Sequence, residues 1–379
     1  MISANAKRSI PVMFVLPTLG TGGSENVVFN LCKHLVPPYL PVAASFRGGA
    51  MEQTFKENKL ITHILHRHGG IDFTLVTKLR RLIQNYDVKI INTHHFVSLF
   101  YGFWAARLCG VPIIHTEHSR WEMEALSTFW RIVFKSLLKQ VQSVGAVSRT
   151  ACEYMIKMYG VNSDKVNLLQ NGIDVALFES GSERTVSRKA LGLSWNDIIL
   201  GTVGNFRSEK NQKLLVQALK LLNRREPRFR AVFVGDGPCK TEVEKLSRTL
   251  GIADSVLFLG TKSEMHRYYG LFDIYCLTSR YEGLPLTLLE AMASGVPTIG
   301  TDVLGIRDVI RHDENGILVL DDNPDELSKA ILRLYQDIDL QQRIRNAARR
   351  MVREHYSLSA FANNYENRFR LLISGCNRR

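Results

Sequence analysis

The sequence predicts an α/β protein built from two doubly wound parallel sheets, and three features of its pattern carry that prediction. Short β-branched runs alternate with helical periodicity from Ile10 onward, the rhythm loosens into a polar stretch from Val186 to Asn196, and it then restarts. Such alternation implies βαβ units, hence parallel strands with helices covering both faces.

In the first half the strand-like runs are IPVMFVL, VKIIN, VPIIHT and SVGAV. Helical patterns follow the first two, over Glu25 to Leu35 and Val97 to Leu108. In the second half IILGTVG, AVFVG, SVLFLG, DIYCLTS and VPTIG are each followed by helical sequence, and nearly everything after Asp325 is helical in pattern. The expected organisation is an N-terminal domain over residues 1–180, a C-terminal domain over 181–356, and a last helix over 357–379 packing back on the first domain. Open α/β sheets bind ligands outside the carboxyl ends of their strands, so a cleft between the domains is expected.

A chain of 379 residues, 45% hydrophobic and 22% charged, buries a substantial core without low-complexity segments. Its six cysteines are scattered with no C-x-x-C pair, which argues against a zinc knuckle or a disulfide framework and for a reducing cytoplasm. The apolar runs Ile10–Leu19 and Phe96–Ala106 fall short of the roughly 20 residues that span a bilayer. Ile10–Leu19 follows Lys7 and Arg8 as a signal peptide would, but Pro11, Pro17 and the glycines after them fit a buried strand entering a turn. The net charge of +13 calls for an anionic partner without choosing among nucleotide phosphates, nucleic acid and a membrane face. Nine Arg against two Glu from Gln341 to Arg379 leave a solvated helical face and a membrane contact evenly matched.

The first strand ends in the turn Pro17–Gly23, followed by Ser24 and Glu25. A glycine turn feeding a helix suits an anion, since free N–H groups and the helix dipole converge there. The dinucleotide pattern G-x-G-x-x-G is broken, with Glu25 in the third glycine's place. After IILGTVG come Arg207 and Lys210, cations at a strand end that suit a diphosphate. After DIYCLTS comes Glu282-Gly283-Leu284-Pro285-Leu286-Thr287, then Glu290 among apolar neighbours. A buried carboxylate needs a partner, which ribose hydroxyls or a nearby cation could each supply. Histidines cluster at His94-His95 and at His115 and His118, without the cysteines or ligand spacing zinc would want, and His63, His66 and His68 read as surface-loop residues. The one Asp-x-Asp pair, Asp337 and Asp339, falls in helical sequence as a cap or an exposed face, so no metal is expected.

These landmarks together resemble the family-4 retaining glycosyltransferases, which have the GT-B fold of two facing Rossmann-like domains. They occur in that family's order over about 270 residues: Gly22-Gly23-x-Glu25, His118 after Pro112, Val147-Ser148, Asn171-Gly172-Ile173-Asp174, Lys210, Val234–Pro238, and the pair Glu282 and Glu290. The resemblance implies that Glu290 binds the donor ribose and that Arg207 and Lys210 bind its diphosphate. Backbone amides at Gly283, Leu284, Leu286 and Thr287 would take phosphate oxygens, Gly22 and Gly23 would lie beside the phosphates, and Glu282 and His118 would act at the transferred sugar. Two positions depart from the pattern: Asn205 stands where the family commonly has Arg, and Pro285, which offers no N–H, stands where many members have Gly.

The resemblance further implies transfer with retention from a UDP- or GDP-linked sugar to a glycan or polyprenol-linked acceptor, in cell-surface polysaccharide biosynthesis. No cofactor and no nucleic-acid partner are expected. The implied location is cytoplasmic, with peripheral contact to an anionic membrane at the inner face of the plasma membrane. Acceptor choice falls to loops around Phe46–Met51 and Ser119–Ser127. Other readings weighed are a GT-B nucleotide-sugar epimerase, a non-catalytic GT-B binding module, and an NAD-dependent oxidoreductase, the last disfavoured by the broken glycine fingerprint.

Overall fold

The computed structural model describes residues 9–118, 126–181 and 186–376. The Lys7-Arg8 flank and most of the Ser119–Ser127 loop lie outside these residues. The chain forms two compact units, one from residues up to Gly172 together with Leu358 onward, the other from Ile173 to Ser357.

The first unit is a seven-stranded sheet of β1 (Ile10–Leu16), β2 (Tyr39–Ser45), β3 (Ile61–Ile64), β4 (Ile90–His94), β5 (Ile113–Glu117), β6 (Ser143–Ala146) and β7 (Val166–Leu168), in the order β3-β2-β1-β4-β5-β6-β7. Every pairing is parallel. The order reverses between β1 and β4, which makes their carboxyl ends the switch point of this sheet. Alternate residues of β1 serve opposite cores. Val12, Phe14 and Leu16 join Val28, Leu31, Phe361 and Tyr365, while Met13 and Val15 join Leu79, Leu99 and Phe134. Burial on both faces is why this strand reads as a continuous apolar run.

The last helix, Leu358–Cys376, belongs to the first unit. Phe361, Tyr365 and Phe369 recur at a spacing of four and are buried, with Phe369 edge-on to Phe14 and Tyr39. Burying each such ring contributes roughly 1.5–3 kcal/mol. Glu366 accepts a bond from the Val36 amide at 2.9 Å.

The second unit carries β8 (Ile198–Val203), β9 (Phe229–Val234), β10 (Val256–Phe258), β11 (Ile274–Leu277), β12 (Thr298–Thr301) and β13 (Ile317–Val319), in the order β10-β9-β8-β11-β12-β13, again all parallel. Its switch point lies between β8 and β11. The boundary expected at 180 falls at Gly172, because Val175 and Phe178 of the helix Val175–Gly181 pack in the second unit's core, Phe178 against Tyr269. Chain entry and exit are side by side, with the Ile173 amide donating to the Tyr356 carbonyl at 2.8 Å.

Candidate functional site

In the second unit the loop after β8 forms a helical turn, Ser208–Lys210, and the loop after β11 clamps it. The Thr278 hydroxyl donates to the Lys210 carbonyl at 3.2 Å and the Arg280 amide to the Glu209 carbonyl at 2.8 Å. Arg280 is held in turn by Asp322, which also receives the Asn211 amide. From this platform Lys210 Nζ reaches Glu282 Oε1 at 2.7 Å, and the Ser279 hydroxyl donates to the same oxygen at 2.6 Å. Glu282 is 8% exposed, and these two donors replace the water its carboxylate gives up on burial. Gly305 keeps the loop in place by being small: a Cβ there would stand 2.3 Å from the Glu282 carbonyl oxygen.

The helix Leu286–Ala293 begins directly after Pro285, and Glu290 lies in its second turn. Its partner is not a cation. Buried Tyr269 donates its hydroxyl to Glu290 Oε2 at 2.6 Å. Burial pushes the Glu290 carboxyl up to about 7, the Tyr269 bond opposing that rise, while burial and the neighbouring carboxylate hold the Tyr269 phenol well above its ordinary range. Thr287 accepts from buried Tyr275 at 2.9 Å. Leu284 and Leu286 pack partly buried side chains against the core. Gly283 has open space where a side chain would be.

In the first unit the turn after β1 leads into the helix Gly23–His34. Glu25 is buried in it and accepts from the Thr18 and Ser24 hydroxyls, each at 2.7 Å. Burial alone would raise its pKa; the hydroxyl bonds outweigh that and bring it below the ordinary value. A Cβ on Gly22 would stand 2.5 Å from Glu25 Oε2, whereas Gly23 has nothing within 4 Å. The carboxylate therefore occupies the Gly22 side of the turn, and the open side is Gly23.

β4 ends on His94, β5 carries His115, and His118 is the residue after β5. His94 Nδ1 lies 2.7 Å from His118 Nε2, with the rings stacked at 5.0 Å. His115 points to the other face, where Nδ1 meets the Thr93 hydroxyl at 3.1 Å and Nε2 lies 3.5 Å from Glu117. Burial, then His95 and His115, lower the His118 pKa to about 3, so it is neutral at physiological pH. His63 is not a loop residue; it belongs to β3 and meets the Tyr86 hydroxyl at 2.9 Å, because the chain pairs there with β2.

Two family models match the chain in tandem. The one described as Glycosyltransferase Family 4 covers residues 21–177, and the one described as Glycosyl transferases group 1 covers residues 183–351. The chain belongs to family 4 of the glycosyltransferases. It is 27% identical over 318 residues to the N-acetyl-alpha-D-glucosaminyl L-malate synthase of Bacillus anthracis, covering 82% of each chain. It is 26% identical over 292 residues to the UDP-Gal:alpha-D-GlcNAc-diphosphoundecaprenol alpha-1,3-galactosyltransferase of Escherichia coli, covering 74% of this chain and 75% of that one. The crystal structure of Anabaena Alr3699/HepE in complex with UDP superposes with a TM-score of 0.82 at 20% identity, over 96% of this chain and 100% of that one. The fold is GT-B, two Rossmann-like parallel-sheet units.

In this glycosyltransferase the expected site residues of the second unit do not all converge. Lys210, Glu282 and the start of the Leu286 helix gather at the β8/β11 switch. Arg207 instead has a largely exposed side chain, 4.0 Å from Glu209, and lines a cleft of about 160 Å³ with Asn211, Lys213, Glu242 and Arg280 that neither Lys210 nor Glu282 lines. A roomier cavity of about 690 Å³, beside Arg188, Trp195 and Leu271, contains none of the motif residues, and its Arg188 is bound to Asp273. Asp337 caps the helix Ile338–His355, accepting from the Leu340 amide at 2.8 Å. Among the described residues no three His, Cys, Asp or Glu side chains gather as metal ligands would, and no helix is long and apolar enough to cross a membrane.

Sequence reasoning on the glycosyltransferase missed Tyr269, Ser279, Tyr275 and Asn92. Ser279 stands three residues before Glu282 at the end of a strand, a spacing that was available as a signal. Tyr269 had none, because its link to Glu290 exists only once a helix has been folded back beside another.

Proposed function

We propose that this glycosyltransferase is retaining and metal-independent, moving a sugar from a nucleoside diphosphate to a glycan or polyprenol-linked acceptor in cell-surface polysaccharide synthesis. The observation that carries the proposal is the Lys210–Glu282 pair set directly before the helix that bears Glu290. The loop after β8 thus supplies a cation for the leaving diphosphate, and the segment after β11 supplies helix-start amides for its oxygens and a carboxylate for ribose hydroxyls. The Anabaena structure's bound UDP and the Escherichia coli relative's name support a nucleotide donor and a lipid-linked acceptor.

In this reading Glu290 accepts from the ribose through the oxygen that Tyr269 does not use. Lys210 moves from Glu282 towards the diphosphate as donor binds, and the freed Glu282 turns to the transferred sugar, as does His118. Arg207 reaches the diphosphate only by rotating from its present exposed position, so Lys210 has the larger share. Gly23, open where Gly22 is not, is the point of the first turn beside which phosphate lies. Retention follows if the acceptor attacks on the face the diphosphate leaves, through an oxocarbenium-like state, with a leaving phosphate oxygen taking the acceptor's proton. That route requires no second carboxylate as base.

A peripheral position on an anionic membrane fits the helix Thr128–Gln140. It buries Phe134, Leu137 and Leu138 but exposes Phe129 and Ile132 beside Arg131 and Lys135. The testing experiment is a thermal-shift and hydrolysis screen against UDP-, GDP-, ADP- and CMP-sugars, with and without EDTA. Stabilisation by one nucleotide class that survives EDTA, with slow sugar release, is expected. A folded protein that responds to none would sink the proposal.

A further inference from the structure

A buried polar chain runs from the last helix to His118. Tyr365 and Thr116 hydroxyls lie 3.3 Å apart, Asn92 Nδ2 donates to Thr116 Oγ1 at 3.0 Å, Asn92 Oδ1 lies 2.9 Å from His94 Nε2, and His94 Nδ1 lies 2.7 Å from His118 Nε2. Strand geometry assembles it. Asn92 and His94 fall on one face of β4, Thr116 falls on the same face of β5 with His118 one residue past that strand's end, and the register sets His94 opposite Thr116.

The chain has one consistent proton assignment. The Ile114 carbonyl can only accept, so the Asn92 atom 3.2 Å from it is the NH2 group, which fixes Oδ1 towards His94. An amide oxygen can only accept, so His94 Nε2 carries a proton. A neutral His94 then has a bare Nδ1, and the proton in the 2.7 Å contact must come from His118 Nε2. The alternative, a His94 cation, would place a charge on a fully buried ring among His118, His95 and His115. The nearby carboxylates are engaged elsewhere: Glu117 sets Oε2 3.5 Å from His115 Nε2 and accepts the His118 backbone amide on Oε1 at 3.0 Å, and Glu25 directs its oxygens to Thr18 and Ser24.

We infer that His94 is a positioning residue that holds His118 as a neutral imidazole protonated on Nε2, so that His118 meets the sugar with a bare Nδ1. His118 then accepts a hydrogen bond from a sugar hydroxyl and does not serve as a proton donor in the transfer. A donor lacking that hydroxyl, or bearing fluorine in its place, loses the contact. The sugar-contact part rests on the function proposed above; the tautomer part rests on the geometry alone.

The test has two arms on the full chain. Two-bond nitrogen–proton NMR of 15N-histidine-labelled protein, assigned with H94F and H118F, is expected to show His118 protonated on Nε2 and bare on Nδ1 at neutral pH. A cation or the opposite tautomer overturns the inference. In the kinetic arm H94F keeps the ring's bulk but deletes the acceptor, while H94N returns an oxygen near the Nδ1 position. Transfer kcat/KM is expected to fall about tenfold in H94F, the size of one buried hydrogen bond, and to recover most of that in H94N, with UDP binding unchanged in both. Unchanged transfer in a folded H94F overturns the positioning role. If the NMR assignment holds but H118F transfers normally, the sugar-contact reading of His118 fails while the tautomer stands.

Discussion

Lys210 Nζ lies 2.7 Å from Glu282 Oε1 across 72 residues of sequence, and the pair is shielded enough that neither charge is indifferent to losing the other. Ser279 alone would then face the Glu282 carboxylate.

Replacing Lys210 by Met is therefore expected to destabilise the fold by roughly 1–3 kcal/mol in urea unfolding, the cost of a buried charge left short of donors. K210M/E282Q should recover part of that loss, since the unpaired charge is gone. Transfer should fall about a hundredfold or more in both, because the leaving diphosphate loses its cation. Equal stability of K210M and the double variant would refute the coupling.

Glu290 sets a pH dependence. Its folded-state value of about 7 stands above the ordinary 4.5, so between those values the native protein holds a proton that the unfolded chain has released. Stability should fall as pH rises from about 4.5 to 7 and level off above, and E290Q should remove that part of the slope. UDP binding should strengthen as pH rises through 7, because the ionised carboxylate accepts the ribose hydroxyls better. Since the Tyr269 hydroxyl holds the Glu290 value down, Y269F should move that rise to higher pH. Calorimetric titration at several pH values, with E290Q as control for titration of UDP itself, decides it.

The two neighbouring glycines of the first turn should behave differently. Gly22→Ala drives a methyl to within 2.5 Å of Glu25 Oε2 and should destabilise by about 1–3 kcal/mol, visible as a lowered Tm. Gly23→Ala meets nothing within 4 Å and should leave Tm unchanged. A loss of donor turnover in Gly23→Ala at unchanged Tm would mark phosphate approach on that side; normal turnover would remove Gly23 from the donor site.

Phe129 and Ile132, each 65% exposed, give a membrane test. Phe129→Ser with Ile132→Ser should weaken co-sedimentation with vesicles rich in anionic lipid and leave Tm unaltered. Binding should also weaken with added salt, since the basic side chains contribute through screened charge. Vesicle binding insensitive to both changes would rule out this helix as the contact.

The local pattern of the sequence was enough to show two parallel sheets, but it passed over β2, β3, β7 and β13 and put His63 of β3 in a loop. Strand alternation and helical spacing are local properties, and a chain as apolar as IPVMFVL can only be covered on both faces. The same holds for the acids and cations at strand ends, whereas Asp337 reads as either a cap or an exposed face and only its bond from the Leu340 amide makes it a cap. The boundary at 180 was less legible, because Val175 and Phe178 look alike whichever core receives them. The partners of the charged groups were beyond reach. Tyr269 meets Glu290 from 21 residues away, Lys210 meets Glu282 from 72, and His94 meets His118 from 24, each through the side-by-side setting of separate strands and helices. By itself the sequence determined which groups stand at the carboxyl ends of the strands, because backbone periodicity places them there. Only the tertiary structure decided which of them share a proton or a charge, because hydrogen bonds act over about 3 Å and the chain fixes such distances only when it is folded.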